Sequence, residues 1–303
     1  MARPMPEYVP IVFCFDANYA NYAAVATFSA FANSVTALKV YWIVPAGDLE
    51  AVKSRKGKLA SLGIDVVVQP VDSAHFADWK EVLHITRGSY LRLLIPETVA
   101  EDKVIYLDSD VIVQADLGLL YSTELGPHAI AGALDTVAGA EMSKMPLTKP
   151  ASYINSGVLV MDLKRLRQEG FFSKCKDIYE KHALEVTWAD QCIINKYAES
   201  GKKILHPKWN HFAWPIKNPE GEEAEVRSSA PCIIHFVAQT KPWHAICSPD
   251  VADVWWHYAN KIQLAGLNRQ PYPIWLRLKS IRRRIKGYLK RTFLKTVSAT
   301  KNA

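Results

Sequence analysis

The sequence predicts an α/β protein built on a single open, mostly parallel twisted sheet with flanking helices, and two features carry that expectation. Short, nearly continuous apolar runs recur along the chain, as strands buried on both faces require. Stretches with helical spacing separate the first of them, and strand, helix, strand order of this kind builds parallel sheets through right-handed crossovers.

Val9 to Phe15 is the first apolar run, and it stops at Asp16 as a buried strand would. Asn18 or Asn21 can start the helix that follows, in which Ala24, Phe28, Phe31 and Ala32 fall at helical spacing. Residues 38–44 predict a second strand, 48–61 a helix and 64–68 a third strand. The N-terminal half is therefore Rossmann-like in order, yet no GxGxxG follows the first strand, which argues against a dinucleotide site of the usual fingerprint. Residues 86–95 predict a helix carrying Arg87 and Arg92 and ended by Pro96. Further strands are expected at 103–107, 111–113, 129–134 and 156–162, the last leading into a helical stretch to about His182. Residues 215–229 read as a surface excursion, and 231–237 as a compact strand with His235 near its end.

With 303 residues the chain can bury a sizeable core, as one large domain or two smaller ones. A hydrophobic share of 49% against 22% charged residues excludes a disordered chain. The first residues carry no basic segment feeding a long apolar stretch, so a cytoplasmic protein is expected. The five cysteines are scattered without a CxxC pair, which argues against a disulfide framework or a cysteine zinc site, and Cys14 and Cys232 read as buried small side chains. Net charge is +7, but the segment from Ile274 onward holds ten Lys or Arg and no Asp or Glu, so without it the balance is −3. A mildly acidic body is a poor nucleic-acid surface, and no nucleic-acid partner is expected.

Asp108-Ser109-Asp110 interrupts two apolar runs. Two carboxylates one residue apart can share a hard cation, or they can be solvated turn acids. His235 can complete a Mn²⁺-like coordination set or be a satisfied core histidine. Lys241 can neutralise a diphosphate, and Pro242-Trp243-His244 after it can fold over a ligand or be a surface turn with one packed Trp. Asp190-Gln191 is either a helix start or a polar pair aimed into a sugar site. Asn155 poses the same choice between a turn residue and a hydroxyl ligand, and Asp16 and Asn18 between ligand contact at a strand's carboxyl end and simple capping.

Taken in order, the segments around Asp16-Ala17-Asn18-Tyr19, Lys103 to Asp110, Tyr153 to Leu159, Trp188 to Cys192 and His235 to Trp243 resemble retaining glycosyltransferase family 8, especially bacterial galactosyl- and glucosyltransferases that extend lipopolysaccharide or lipooligosaccharide. The resemblance covers about residues 9–250. It implies a nucleotide-diphospho-sugar transferase fold, a Mn²⁺ cofactor with Mg²⁺ as substitute, and a UDP-glucose or UDP-galactose donor. It further implies Asp108, Asp110 and His235 as metal ligands, Lys241 as the diphosphate contact, and Asp16 and Asn18 at the uridine nucleotide. Arg92, Asp135, Asn155 and Asp190 would hold sugar hydroxyls, Gln191 would stand beside the anomeric carbon, and Asp190 is a second catalytic candidate. Ala238 departs from the glycine common in the family three residues after the metal histidine, which narrows the room in that loop.

Two rivals stand beside this reading. A nucleotidyltransferase acting on a sugar phosphate would want a Gly- and basic-rich loop after its first strand, where this chain has Ala-Asn-Tyr-Ala-Asn-Tyr. A catalytically inactive membrane-tethered binding protein would have little use for the full set of polar residues. Residues 1–270 are expected to be the catalytic domain. Residues 271–303 are expected to associate with an anionic membrane, placing the enzyme at the cytoplasmic face near a lipid-linked saccharide acceptor. In that segment Ile274, Leu278, Ile281, Ile285 and Phe293 recur at helical steps among Arg282, Arg283, Arg284, Lys286 and Lys290. Packing of this stripe on protein is the alternative.

Overall fold

The structure, a computed structural model, describes residues 7–81, 86–136, 143–213, 230–237, 240–245, 247 and 249–270. The expectations for the 215–229 excursion, Ala238 and the 271–303 segment lie outside the described residues.

Tyr8–Cys14 (β1) pairs in parallel with Ala37–Pro45 (β2), reached through the helix Ala20–Asn33 (α1). Leu49–Ala60 (α2) leads to Val66–Val71 (β3), parallel to β2. Ile95–Thr98 (α3) precedes Lys103–Leu107 (β4), which pairs in parallel with β1. Val111–Val113 (β5), Leu117–Tyr121 (α4) and Ile130–Leu134 (β6) follow. Ile154–Asp162 (β7) runs antiparallel between β4 and β6. Leu163–Gln168 (α5), Phe171–His182 (α6), Ala189–Tyr197 (α7) and the short strands Lys203–Ile204 (β8) and His211–Phe212 (β9) come next. Ile233–His235 (β10) and Pro249–Ile262 (α8) end the described elements. The main sheet has the order β3-β2-β1-β4-β7-β6-β8, and β5-β10-β9 form a small second sheet beside it.

The near-continuous apolarity of β1 is explained by burial on both faces. Val9, Ile11, Phe13 and Phe15 join one core layer with α1 and α8, while Val12 and Cys14 join the other with α6 and α7. Among the described residues no helix is long and apolar enough to cross a membrane.

Several local expectations are corrected. Asp16, not Asn18 or Asn21, caps the chain after β1, and a 3₁₀ turn at Ala17–Tyr19 precedes α1. Phe31 and Ala32 face solvent, because α1 lies between β5, α2 and α8 and buries the small residues of its first turns instead. The third strand begins at Val66 rather than at residue 64. Residues 87–94 are 3₁₀, and Pro96 sits in the first turn of α3, where a missing N–H costs nothing, instead of ending a helix. Strand β7 starts at Ile154, so Asn155 is a strand residue. The compact strand expected over 231–237 is only Ile233–His235 and belongs to the small sheet. Gly170, at φ 64°, separates α5 from α6. Cys14 is buried as expected, but Cys232 is only half-buried.

Candidate active site

The topology gathers the polar residues at one edge of the main sheet. Strands β1, β4 and β6 end there, and antiparallel β7 begins there. Leu107 pairs with Val158, and the Asp108 N–H donates to the Gly157 carbonyl at 2.8 Å, so the start of β7 lies against the Asp108 turn. Asp135 follows β6 and donates its N–H to the Tyr153 carbonyl at 2.9 Å. The small sheet supplies the histidine: His235 is registered against Val111, and the Phe236 N–H donates to the Asp110 carbonyl at 3.0 Å.

Asp108, Asp110 and His235 thus meet, with one ligand atom from each within 4.8 Å of the others. His235 Nε2 stands 3.3 Å from Asp110 Oδ1 and 3.6 Å from Asp108 Oδ2. Its Nδ1 faces Asn210 Oδ1 at 2.8 Å, which makes Nδ1 the protonated nitrogen and leaves the Nε2 lone pair turned toward the two carboxylates. Three acceptors converging in this way repel one another unless a cation or proton lies among them. A mixed nitrogen and oxygen set suits Mn²⁺ or a related divalent ion, so the residues fit the metal they are expected to hold. The buried Ser109 hydroxyl, between the two acids, has no hydrogen-bond partner among the described residues.

Two protein cations flank the cluster. Lys241 Nζ lies 2.5 Å from Asp110 Oδ2 and donates to the Phe236 carbonyl at 2.8 Å. Burial alone would raise the Asp110 pKa, but the Lys241 ammonium outweighs it and holds the carboxyl well below its usual range. Arg92 is buried between Asp108 and Asp190, 3.0 Å from an oxygen of each, and its guanidinium lies 4.6 Å from the centre of the Tyr106 ring. Its Nη1 also donates to the Ser156 carbonyl at 2.9 Å. The Tyr106 hydroxyl donates to Asp108 Oδ1 at 2.5 Å. Burial lifts the Asp190 pKa to about 6, against the pull of Arg92 and with a further push from Asp108.

On the other side, Gln191 Nε2 donates to Asp135 Oδ2 at 2.9 Å, and Asn155 Nδ2 to Gln191 Oε1 at 3.1 Å. Asp190 and Gln191 stand at the start of α7, one turn in which Ala189 takes a φ of 45°, a left-handed conformation that a non-glycine residue adopts only under tertiary constraint. The pair is a helix start, and both side chains also join a buried polar network. Asn155 likewise is no turn residue.

Asp108, Asp110, His235, Lys241, Arg92, Asp190, Gln191, Asn155 and Asp135 are brought together. Asp16 makes its hydrogen bonds outside the cluster. Its carboxylate accepts from the Asn18 N–H at 2.9 Å and the Thr86 hydroxyl at 2.8 Å, and Asn18 is exposed. Burial first, and then the charges of Asp110 and Asp16, push the Tyr19 phenol pKa up. Trp243 is a packed residue: it is buried and stacked on Tyr22, with ring centres 3.5 Å apart, which ties the segment after Lys241 to α1. Sequence reasoning missed Tyr106, Ser156, Gly157 and Asn210. Tyr106 adjoins the acidic pair and could have been flagged, but Asn210 reaches the site only through the fold.

An open α/β sheet with paired acids and a histidine at its carboxyl edge defines a nucleotide-sugar transferase fold of the GT-A, Rossmann-like type. The chain belongs to the glycosyl transferase family 8, whose family model matches residues 10–247. It is 26% identical to General stress protein A of Bacillus subtilis, over 83% of this chain and 93% of that protein. It is 29% identical to Glycosyltransferase GlyF of Streptococcus pneumoniae, over 66% of this chain but 50% of that one, so it spans about half of this longer relative. A crystal structure of the galactosyltransferase LgtC in complex with donor and acceptor sugar analogs superposes with a TM-score of 0.76 at 25% identity, covering 85% of this chain and 98% of that one.

Gly157 is the tightest point of the cluster. A Cβ there would meet His235 Cε1 at 2.2 Å and Asp108 Oδ2 at 2.8 Å. Gly157→Ala should force His235 and Asp108 apart, weaken Mn²⁺ binding at least about tenfold and cost about 1–3 kcal/mol of stability. Mn²⁺ titration followed by electron paramagnetic resonance, with urea denaturation alongside, checks this; wild-type values in both would contradict the packing account.

Proposed function

We propose that this chain transfers a hexose, glucose or galactose, from a UDP-sugar to a hydroxyl of a glycan acceptor, with retention at the anomeric carbon. The observation that carries the proposal is the continuous network from Asp108, Asp110 and His235 to Asp190 and Gln191. It couples a cation site suited to a diphosphate with buried polar groups suited to sugar hydroxyls. Family membership and the likeness to a galactosyltransferase solved with donor and acceptor sugar analogs support it.

In this reading Asp108, Asp110 and His235 hold Mn²⁺ or Mg²⁺, which supplies positive charge against the diphosphate as it leaves. Lys241 adds positive charge on the leaving side. Asp16 and Asn18 lie toward the nucleotide. Arg92, Asp135, Asn155 and Asp190 orient the sugars. Gln191 is neutral and weakly basic, hence a poor nucleophile. Same-face attack follows: the anomeric C–O bond to phosphate breaks, the acceptor oxygen bonds to that carbon, and the acceptor proton passes to the departing phosphate oxygen. Asp190, held by Arg92, is the alternative residue for a transient covalent role. The acceptor is a lipopolysaccharide-type, lipid-linked saccharide, and the basic segment from Ile274 holds the enzyme on the cytoplasmic face of an anionic membrane.

Screening UDP-glucose and UDP-galactose with Mn²⁺ and lipopolysaccharide-core acceptors tests the reaction. One donor should yield an α-linked product by NMR, with Asp110→Asn at least about tenfold slower. A β linkage, release of pyrophosphate, or unchanged turnover in the variant would each contradict it.

Deleting residues 274–303 tests membrane attachment separately. Sedimentation with anionic liposomes should drop while transfer to a soluble acceptor survives, because each Lys or Arg near such a surface contributes about 1 kcal/mol before screening. Unchanged sedimentation would refute attachment through this segment, and loss of folding would favour packing on protein.

A further inference from the structure

The side-chain amides in the site have a polarity that two backbone donors determine independently. The Gly157 N–H can only donate, so the Asn155 atom 3.0 Å from it is Oδ1. Asn155 Nδ2 must then face Gln191 Oε1 at 3.1 Å and Asp135 Oδ2 at 3.2 Å. The Ser156 N–H, 3.1 Å from the same Gln191 Oε1, demands the same orientation from the other end. Gln191 Nε2 consequently points at Asp135 Oδ2, a carboxylate oxygen able to accept.

Asn155 Oδ1 also receives Asn210 Nδ2 at 2.9 Å. This fixes Asn210 in turn: its Oδ1 faces His235 Nδ1 at 2.8 Å, and that nitrogen must carry a hydrogen. Asn210, Asn155, Gln191 and His235 are all buried, so water does not offer alternative partners that would let an amide flip freely.

From this chain we infer that Asn210 is a positioning residue: its amide oxygen keeps the His235 hydrogen on Nδ1 and so leaves the Nε2 lone pair toward the two acids, while the Gly157 and Ser156 N–H groups hold Asn155 and Gln191. A consequence at Gln191 is that Oε1 already accepts from two donors, so toward a substrate this side chain offers no free oxygen. Asn210 itself has no role as a ligand or in bond making. The inference rests on the cation site proposed above and not on the glycosyl transfer.

Two variants separate the two links. In Asn210→Asp one oxygen still accepts from His235 Nδ1, while the other faces Asn155 Oδ1, acceptor to acceptor, and breaks that link. Asn210→Leu removes both. Three quantities are read on full-length protein: the His235 tautomer by ¹⁵N NMR without metal, the Mn²⁺ dissociation constant, and kcat with the UDP-hexose. The tautomer should be Nδ1–H in wild type and Asn210→Asp but mixed in Asn210→Leu. Mn²⁺ affinity should be retained in Asn210→Asp and fall about tenfold or more in Asn210→Leu. Turnover should follow Mn²⁺ affinity in both, because the Ser156 N–H and Asp135 still hold the Gln191 amide.

An Nε2–H tautomer in wild type would overturn the inference even if Asn210→Leu does not fold. Equal Mn²⁺ losses in the two variants, or none in either, would overturn the His235 link. Should wild type turn over no UDP-hexose at all, the proposed reaction fails, while the tautomer and Mn²⁺ measurements still decide the role of Asn210.

Discussion

The site depends on one electrostatic constraint: two carboxylates and an imidazole lone pair are held close together at a largely buried place in the fold. Such an arrangement is unfavourable by itself and persists only with positive charge around it. Lys241 supplies that charge on the Asp110 side and Arg92 on the Asp108 side. Arg92 also binds Asp190, so one buried guanidinium links the acidic pair to the first turn of α7. The high Asp190 pKa and the low Asp110 pKa are two outcomes of burial, one incompletely offset by Arg92 and the other overcome by Lys241.

Chain topology assembles the constraint from distant pieces. Strand β4 delivers Asp108 at its carboxyl end, and the antiparallel entry of β7 brings Asn155, Ser156 and Gly157 beside it. The chain then leaves the main sheet through β5, and the pairing of β5 with β10 sets His235 opposite Val111, next to Asp110. The absence of a side chain at Gly157 lets the two sheets approach this closely. Fold and candidate cation site are thus linked, because the register that pairs β5 with β10 is also what brings His235 to the two acids.

The sequence made the strands β1, β2 and β4 legible, since burial on both faces leaves unbroken apolar runs. The acidic pair was legible too, as polar residues breaking such runs. Strands β8, β9 and β10 span two or three residues each and exist through pairing with distant partners, which no local pattern encodes. The 3₁₀ course of residues 87–94 has apolar spacing close to that of an α-helix, hence the misplaced helix end at Pro96. Asn210 contacts residues 25 and 55 positions away in the chain, and the direction of its amide emerges only from the hydrogens of two backbone groups on β7.

Anomalous diffraction from crystals grown with Mn²⁺ and UDP tests the central claim, that these three acceptors form a divalent-cation site, most directly. The account predicts a manganese peak within coordination distance, about 2.0–2.3 Å, of Asp108, Asp110 and His235 Nε2. Manganese bound elsewhere with these three residues uncoordinated, or no peak at saturating Mn²⁺, would contradict it.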